Sequence, residues 1–119
     1  MGRVGLMNQE EEMSDQPSLV SNAFQTFMRE APQQAQAWGG TVQGLAKASA
    51  LDKKTAALAY LAVLAALRME NGIPFHVQAA RQLGATREEM VSAILVGLPA
   101  AGHGVTQVLP AAIAAFDAS

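Results

Sequence analysis

Cysteine is missing altogether from the 119 residues, which excludes disulfides, thiolate metal sites, iron–sulfur clusters and any cysteine nucleophile. Aromatic residues make up only 5% of the chain and charged residues 15%. The 8 Lys and Arg against 10 Asp and Glu give a formal net charge of −2. A phosphate-reading surface needs concentrated positive charge, so nucleic acid is not an expected partner. Long apolar runs are absent too. The longest, residues 56–67 with Tyr60 inside it, has 12 residues, against the roughly 20 that a membrane helix needs, so no membrane partner is expected. The N-terminus has no basic start leading into an apolar stretch, the mark of a secretory leader, and a cytoplasmic location is the default expectation.

What the chain has in excess is alanine, at 24 of 119 positions, a residue that loses no side-chain entropy in a helix. Half-apolar composition without an alternating pattern predicts an all-α protein with one core and about five to six helices. Residues 1–17, with Gly2, Gly5, the run Glu10, Glu11, Glu12 and Pro17, read as a mobile acidic tail, with Met13 as an alternative start. Residues 18–119 read as a single helical domain. Leu19, Val20, Ala23, Phe24, Phe27 and Met28 recur at three- and four-residue steps up to Pro32 and predict a first amphipathic helix. A second covers residues 33–50, bent or broken at Gly39 and Gly40.

Asp52 is placed to N-cap a third helix running to about Met69, which is apolar nearly all round and therefore expected at the centre. A fourth covers residues 71–83, with Pro74 in its first turn and Gly84 as its C-terminal cap. Thr86 and Glu89 form a capping box at the head of a fifth, running from Arg87 to about Leu98 and burying Met90, Val91, Ile94 and Leu95. After a break at residues 99–104, a last helix spans 105–116 despite Pro110. So many apolar helix faces on a small domain suggest that some are covered by other copies of the chain.

The stretch Arg68-Met69-Glu70-Asn71-Gly72-Ile73-Pro74-Phe75-His76-Val77, then Ala79, Ala80 and Gly84-Ala85-Thr86-Arg87-Glu88-Glu89, resembles the carboxymuconolactone decarboxylase family, which includes the AhpD-like alkyl hydroperoxidases. In that pattern an Arg or similar residue leads into Cys-x-x-Cys, then a His followed by Val, then a Gly-Ala-Thr-x-Glu-Glu helix start eight residues beyond the His. His76 and Gly84 keep that spacing. The resemblance covers roughly residues 50–116, best over 68–89, and implies an AhpD-like helical subunit of a homo-oligomer, a trimer or hexamer. Carried over by position, the family's two cysteines fall on Met69 and Gly72, its histidine on His76 and its relay glutamate on Ala57. Methionine forms no thiolate, glycine has no side chain and alanine carries no proton, so thiol peroxidase chemistry is closed to this chain.

The decarboxylase branch needs no sulfur. It implies His76 as acid or base, with Arg68 holding a substrate carboxylate in a bidentate pair. Each candidate also has a plainer reading. His76 fits a half-buried histidine hydrogen-bonded to the backbone, and Met69 fits core filler better than a sulfoxide switch. Glu70, Asn71 and Phe75 line a pocket or cap a helix junction. His103, between Gly102 and Gly104, approaches a ligand or is an exposed turn residue. Two histidines without a carboxylate at ligand spacing give no reason to expect a metal, and no cofactor is expected. Three functions follow: a redox-inactive member binding a small apolar or carboxylated molecule, which is favoured; an acid–base enzyme of the decarboxylase kind using His76; and a purely structural oligomer subunit.

Overall fold

The computed structural model describes residues 19–118; the expected tail over residues 1–17 lies outside them. All regular structure among the described residues is helical. The first two helices are α1 (Asn22–Glu30) and α2 (Pro32–Ala48), followed by α3 (Lys53–Ala66). A one-turn 3₁₀ segment, Glu70–Gly72, leads into α4 (Ile73–Gln82), and α5 (Arg87–Leu95) follows. The chain then forms the short α6 (Leu98–Ala101), a 3₁₀ stretch Gly102–Val108, and α7 (Leu109–Asp117).

Local chemistry explains most boundaries. Ser21 Oγ accepts the Phe24 amide at the head of α1, and Pro32 opens α2 in the first turn, where its missing N–H removes no bond. Asp52 caps α3 by accepting the Thr55 amide. The Thr86–Glu89 box is complete: Glu89 N–H donates to Thr86 Oγ1 at 3.0 Å and Thr86 N–H donates to Glu89 Oε1 at 2.9 Å. Thr86→Ala removes an amide acceptor at the head of α5, and we expect it to lower the unfolding free energy by about 1 kcal/mol in urea titrations.

Three boundaries differ from expectation. Gly39 and Gly40 do not break α2, which runs without interruption from Pro32 to Ala48. The third helix stops at Ala66 rather than near Met69, because Arg68 adopts a left-handed conformation with φ 59°. The last helix begins at Leu109 rather than at residue 105. Pro110 cannot sit inside a helix but is tolerated in a first turn, so the preceding residues wind as 3₁₀.

The core draws one stripe from each of the later helices. Leu61, Leu64 and Ala65 of α3 meet Ile73, Val77 and Ala80 of α4, the last three at the i, i+4, i+7 spacing of one helix face. Met90 and Ile94 of α5, Val105 and Val108 of the 3₁₀ stretch, and Ala112 and Ala115 of α7 complete it. Val91, Leu95, Ile113 and Phe116 are only partly buried. α3 packs on both α4 and α5, and α4 packs on α7. Gln78 and Arg81 of α4 donate to backbone carbonyls at the end of α7, and the Arg81 guanidinium lies 5.4 Å from the Phe116 ring centroid. Arg87 donates to both carboxylate oxygens of Asp117, at 3.0 and 3.2 Å, tying the head of α5 to the end of α7.

Although α3 is apolar nearly all round, it is not buried all round, since Tyr60, Val63 and Leu67 are exposed. Residues Arg87–Asp117 are apolar and long enough to cross a membrane by composition, yet their path turns at Gly97 and again through the 3₁₀ stretch, and six of their side chains enter the core.

Candidate functional site

α4 carries His76 in its second turn, after the Glu70–Gly72 segment reverses the chain. The imidazole is half-buried, with its ring centroid 4.6 Å from that of Tyr60 on α3 and 5.1 Å from that of its neighbour Phe75. It forms no hydrogen bond among the described residues, so the expected backbone-bonded histidine is not what the structure shows. Burial disfavours the charged form and pushes the His76 pKa below its ordinary value of 6.5. The imidazole's two ring nitrogens thus have no partner among the described residues, and in the neutral form one donates a hydrogen bond and the other accepts a proton or a hydrogen bond.

This shift has a sign that stability measurements can read. The folded state binds the His76 proton less tightly than the unfolded chain, so this contribution is complete above pH 6.5 and is lost as pH falls through the lower folded pKa. The urea midpoint is expected to drop between neutral pH and about pH 5, and His76→Gln to drop less over the same range.

Gly72, one of the two positions that the resemblance gives to a thiol, lies beside this ring. A Cβ placed on Gly72 would stand 3.5 and 3.6 Å from the Leu64 methyls and 4.0 Å from His76 Cδ2, all ordinary contacts. Gly72 is right-handed, with φ −87° and ψ −12°, so a side chain is accommodated without strain. Gly72→Ala is accordingly expected to stabilise the fold by about 0.5–1 kcal/mol, chiefly by restricting the unfolded chain, as thermal unfolding would record. Met69 is not core filler: it is 49% exposed, because the chain has already left α3 when it reaches this residue. Ala57 is half-buried against the core.

Arg68 ends α3 in a distinctive way. Its N–H donates to Ala65 O at 3.0 Å and Met69 N–H donates to Leu64 O at 2.9 Å, the paired bonds of a Schellman cap with Arg68 at the left-handed position. The end of α4 uses the same arrangement, with Gly84 N–H to Arg81 O and Ala85 N–H to Ala80 O, both 3.0 Å, and φ 99° at Gly84. Glycine occupies the position that favours it in one cap, and arginine occupies it in the other. The Arg68 guanidinium lies over Gly104, where a Cβ would overlap it, and it makes no ion pair or hydrogen bond among the described residues.

The sequence candidates therefore fall into two groups. Gly72, Phe75 and His76 come together with Tyr60 and Leu64, while Arg68 lies against the turn that holds His103. No hydrogen bond or ring contact among the described residues joins the two groups. His103 is an exposed turn residue whose carbonyl accepts the Thr106 hydroxyl at 2.8 Å. Glu70 is exposed, and its backbone carbonyl accepts the Ile73 amide. Sequence reasoning missed Tyr60 and Leu64; the available signal was the chain's single tyrosine set inside its longest apolar run.

These features define a small all-helical protein with a histidine-bearing surface at the contact of α3 and α4. The chain belongs to the carboxymuconolactone decarboxylase family, whose family model matches residues 32–118. That match takes in α2, which the motif resemblance over roughly residues 50–116 leaves out. Comparison with curated proteins and with solved structures finds no match.

Proposed function

We propose that this chain is a redox-inactive member of its family that binds a small carboxylated molecule with an apolar body. Arg68, lying against the turn at Gly104, takes the carboxylate. One observation carries this reading: Arg68 holds a left-handed backbone conformation that glycine would hold at lower cost, and its guanidinium has no partner among the described residues. A strained arginine kept free of protein carboxylates suits an anionic ligand, which its planar donors can grip with two hydrogen bonds. The thiol positions supply the negative half of the argument, since Met69 and Gly72 offer no sulfur nucleophile.

Benzoate is a suitable probe. In NMR titrations it is expected to shift the Arg68 Nε–H resonance, and Arg68→Gln to remove the response. An unmoved resonance at millimolar benzoate would refute the assignment.

The half-buried imidazole of His76, which has no hydrogen-bond partner among the described residues, supports one further reading, an acid–base lyase acting on a carboxylated lactone. In that step the bond to the carboxylate carbon breaks, carbon dioxide departs, the electron pair stays on the carbon left behind, and His76, having taken up a proton from water, delivers it to that carbon and returns to the neutral imidazole. His76→Ala would then slow carbon dioxide release by about a hundredfold; equal rates for variant and parent would remove His76 from that role.

A further inference from the structure

Gly104 differs from the other described glycines. Gly84 and Gly102 have positive φ, 99° and 80°, a conformation that glycine adopts at low cost. A Cβ added to Gly97 or to the glycines of α2 would meet open space, and one added to Gly72 only ordinary contacts. The φ of Gly104 lies outside the left-handed region, so its backbone alone gives no reason for glycine. A Cβ at this position would nonetheless overlap the Arg68 guanidinium, nearer to Nε and Nη2 than to Cζ, which it would meet at 2.6 Å. The missing side chain at 104 is therefore matched to one group, the end of the arginine that stops α3.

The backbones on the two sides of this contact are fixed. That of Arg68 is held by the paired cap bonds, from its own N–H to Ala65 O and from Met69 N–H to Leu64 O. Gly104 belongs to the 3₁₀ stretch that packs on α3, and the next residues inward, Val105 and Val108, are 1% and 0% exposed. What remains free to move is the guanidinium. Arg68 is exposed and has no ion pair or side-chain hydrogen bond among the described residues, so its contact with the bare α-carbon of Gly104 locates the end of the side chain. A freely rotating arginine must be ordered before it presents two donors in one plane, and ordering it beforehand lowers the cost of binding.

We infer that Gly104 is a positioning residue for the anion site: its α-carbon seats the Arg68 guanidinium in the orientation that takes a carboxylate, and any side chain at 104 unseats it. The binding half of this inference rests on the carboxylate reading of Arg68, whereas the seat itself does not.

Nitrogen-15 relaxation of the Arg68 Nε–H tests the seat without a ligand. The order parameter is expected to lie above about 0.6 in the parent and below it in Gly104→Ala. Thermal unfolding supplies a second reading. Gly104→Ala is expected to lower the Tm by about 4 °C in the parent background and not at all beside Arg68→Gly, where the added methyl enters vacated space. That double variant keeps the test open should Gly104→Ala alone fail to fold. Benzoate affinity is expected to fall about tenfold in Gly104→Ala, and Gly104→Ala added to Arg68→Gln to cause no further loss. An Nε–H equally mobile in parent and variant, or equal Tm losses in both backgrounds, would overturn the seat. Unchanged benzoate affinity despite a loosened Nε–H would overturn the positioning role. A parent that binds no benzoate yet shows the ordered Nε–H and the coupled Tm values would remove the carboxylate reading, and the positioning role with it, while the seat stands.

Discussion

Ile94→Ala is expected to lower the unfolding free energy by about 3–4 kcal/mol, a loss that reflects both the removed transfer energy and the cavity left behind. Ile94 is completely buried on α5, the helix that meets α3, the 3₁₀ stretch and α7. Those elements are fixed by capping and by other core residues and cannot close over a missing side chain. Small domains have only about 5–15 kcal/mol of stability in total, so the variant should unfold at a markedly lower urea concentration with a similar slope. A loss below about 1 kcal/mol would mean that Ile94 does not sit where four elements converge.

Arg68→Gly is expected to move two measurements in opposite directions. Relieving the left-handed arginine should stabilise the fold by about 1 kcal/mol, since Gly84 shows the same cap formed by the residue that adopts it freely. The same change removes the only guanidinium over Gly104 among the described residues. Charge-assisted hydrogen bonds contribute about 1.5–3 kcal/mol, so benzoate binding should weaken by roughly ten- to a hundredfold. Arg68→Lys keeps the strain and the charge but loses the planar pair of donors, and should bind with intermediate strength. A stability gain with unchanged binding would show that Arg68 serves the cap alone, whereas a stability loss would show that its packing on Gly104 outweighs the backbone strain.

The two Schellman caps also show where the sequence could be read. Gly84 is legible because glycine is the residue a left-handed cap selects, and Thr86 with Glu89 is legible because each supplies the atom the other's backbone needs. Arg68 is not legible in this way: its residue type favours continuing a helix, and only the bonds to Ala65 and Leu64 reveal the stop. Pro110 marked a boundary, but whether it lay inside a long helix or opened a shorter one depended on the 3₁₀ winding ahead of it.

Burial follows the same division. The spacing of Met90 and Ile94 identified core residues, because a helix with one covered face must repeat its apolar side chains. Val91 and Leu95, one position further on, are only partly buried, and an alanine-rich sequence cannot separate such neighbours. The face carrying Tyr60, Val63 and Leu67 is apolar yet exposed in the single chain, a property of what surrounds the helix rather than of the helix. At the site, His76 was identified by motif position, whereas its ring neighbour Tyr60 lies sixteen residues earlier on another helix and enters only through the packing of α3 on α4.

The zero in the cysteine count underlies the central claim, that the family scaffold here works without thiol chemistry. Met69→Cys with Gly72→Cys would place two sulfurs at the positions that the resemblance gives to the thiol pair, and a Cβ on Gly72 meets its neighbours at ordinary contact distances. Ala57 would still provide no proton relay. The most direct measurement is hydrogen peroxide consumption by the purified parent chain with dithiothreitol as electron donor. The expected result is a rate equal to that of the protein-free control; turnover that scales with protein concentration and survives removal of contaminants would contradict the claim.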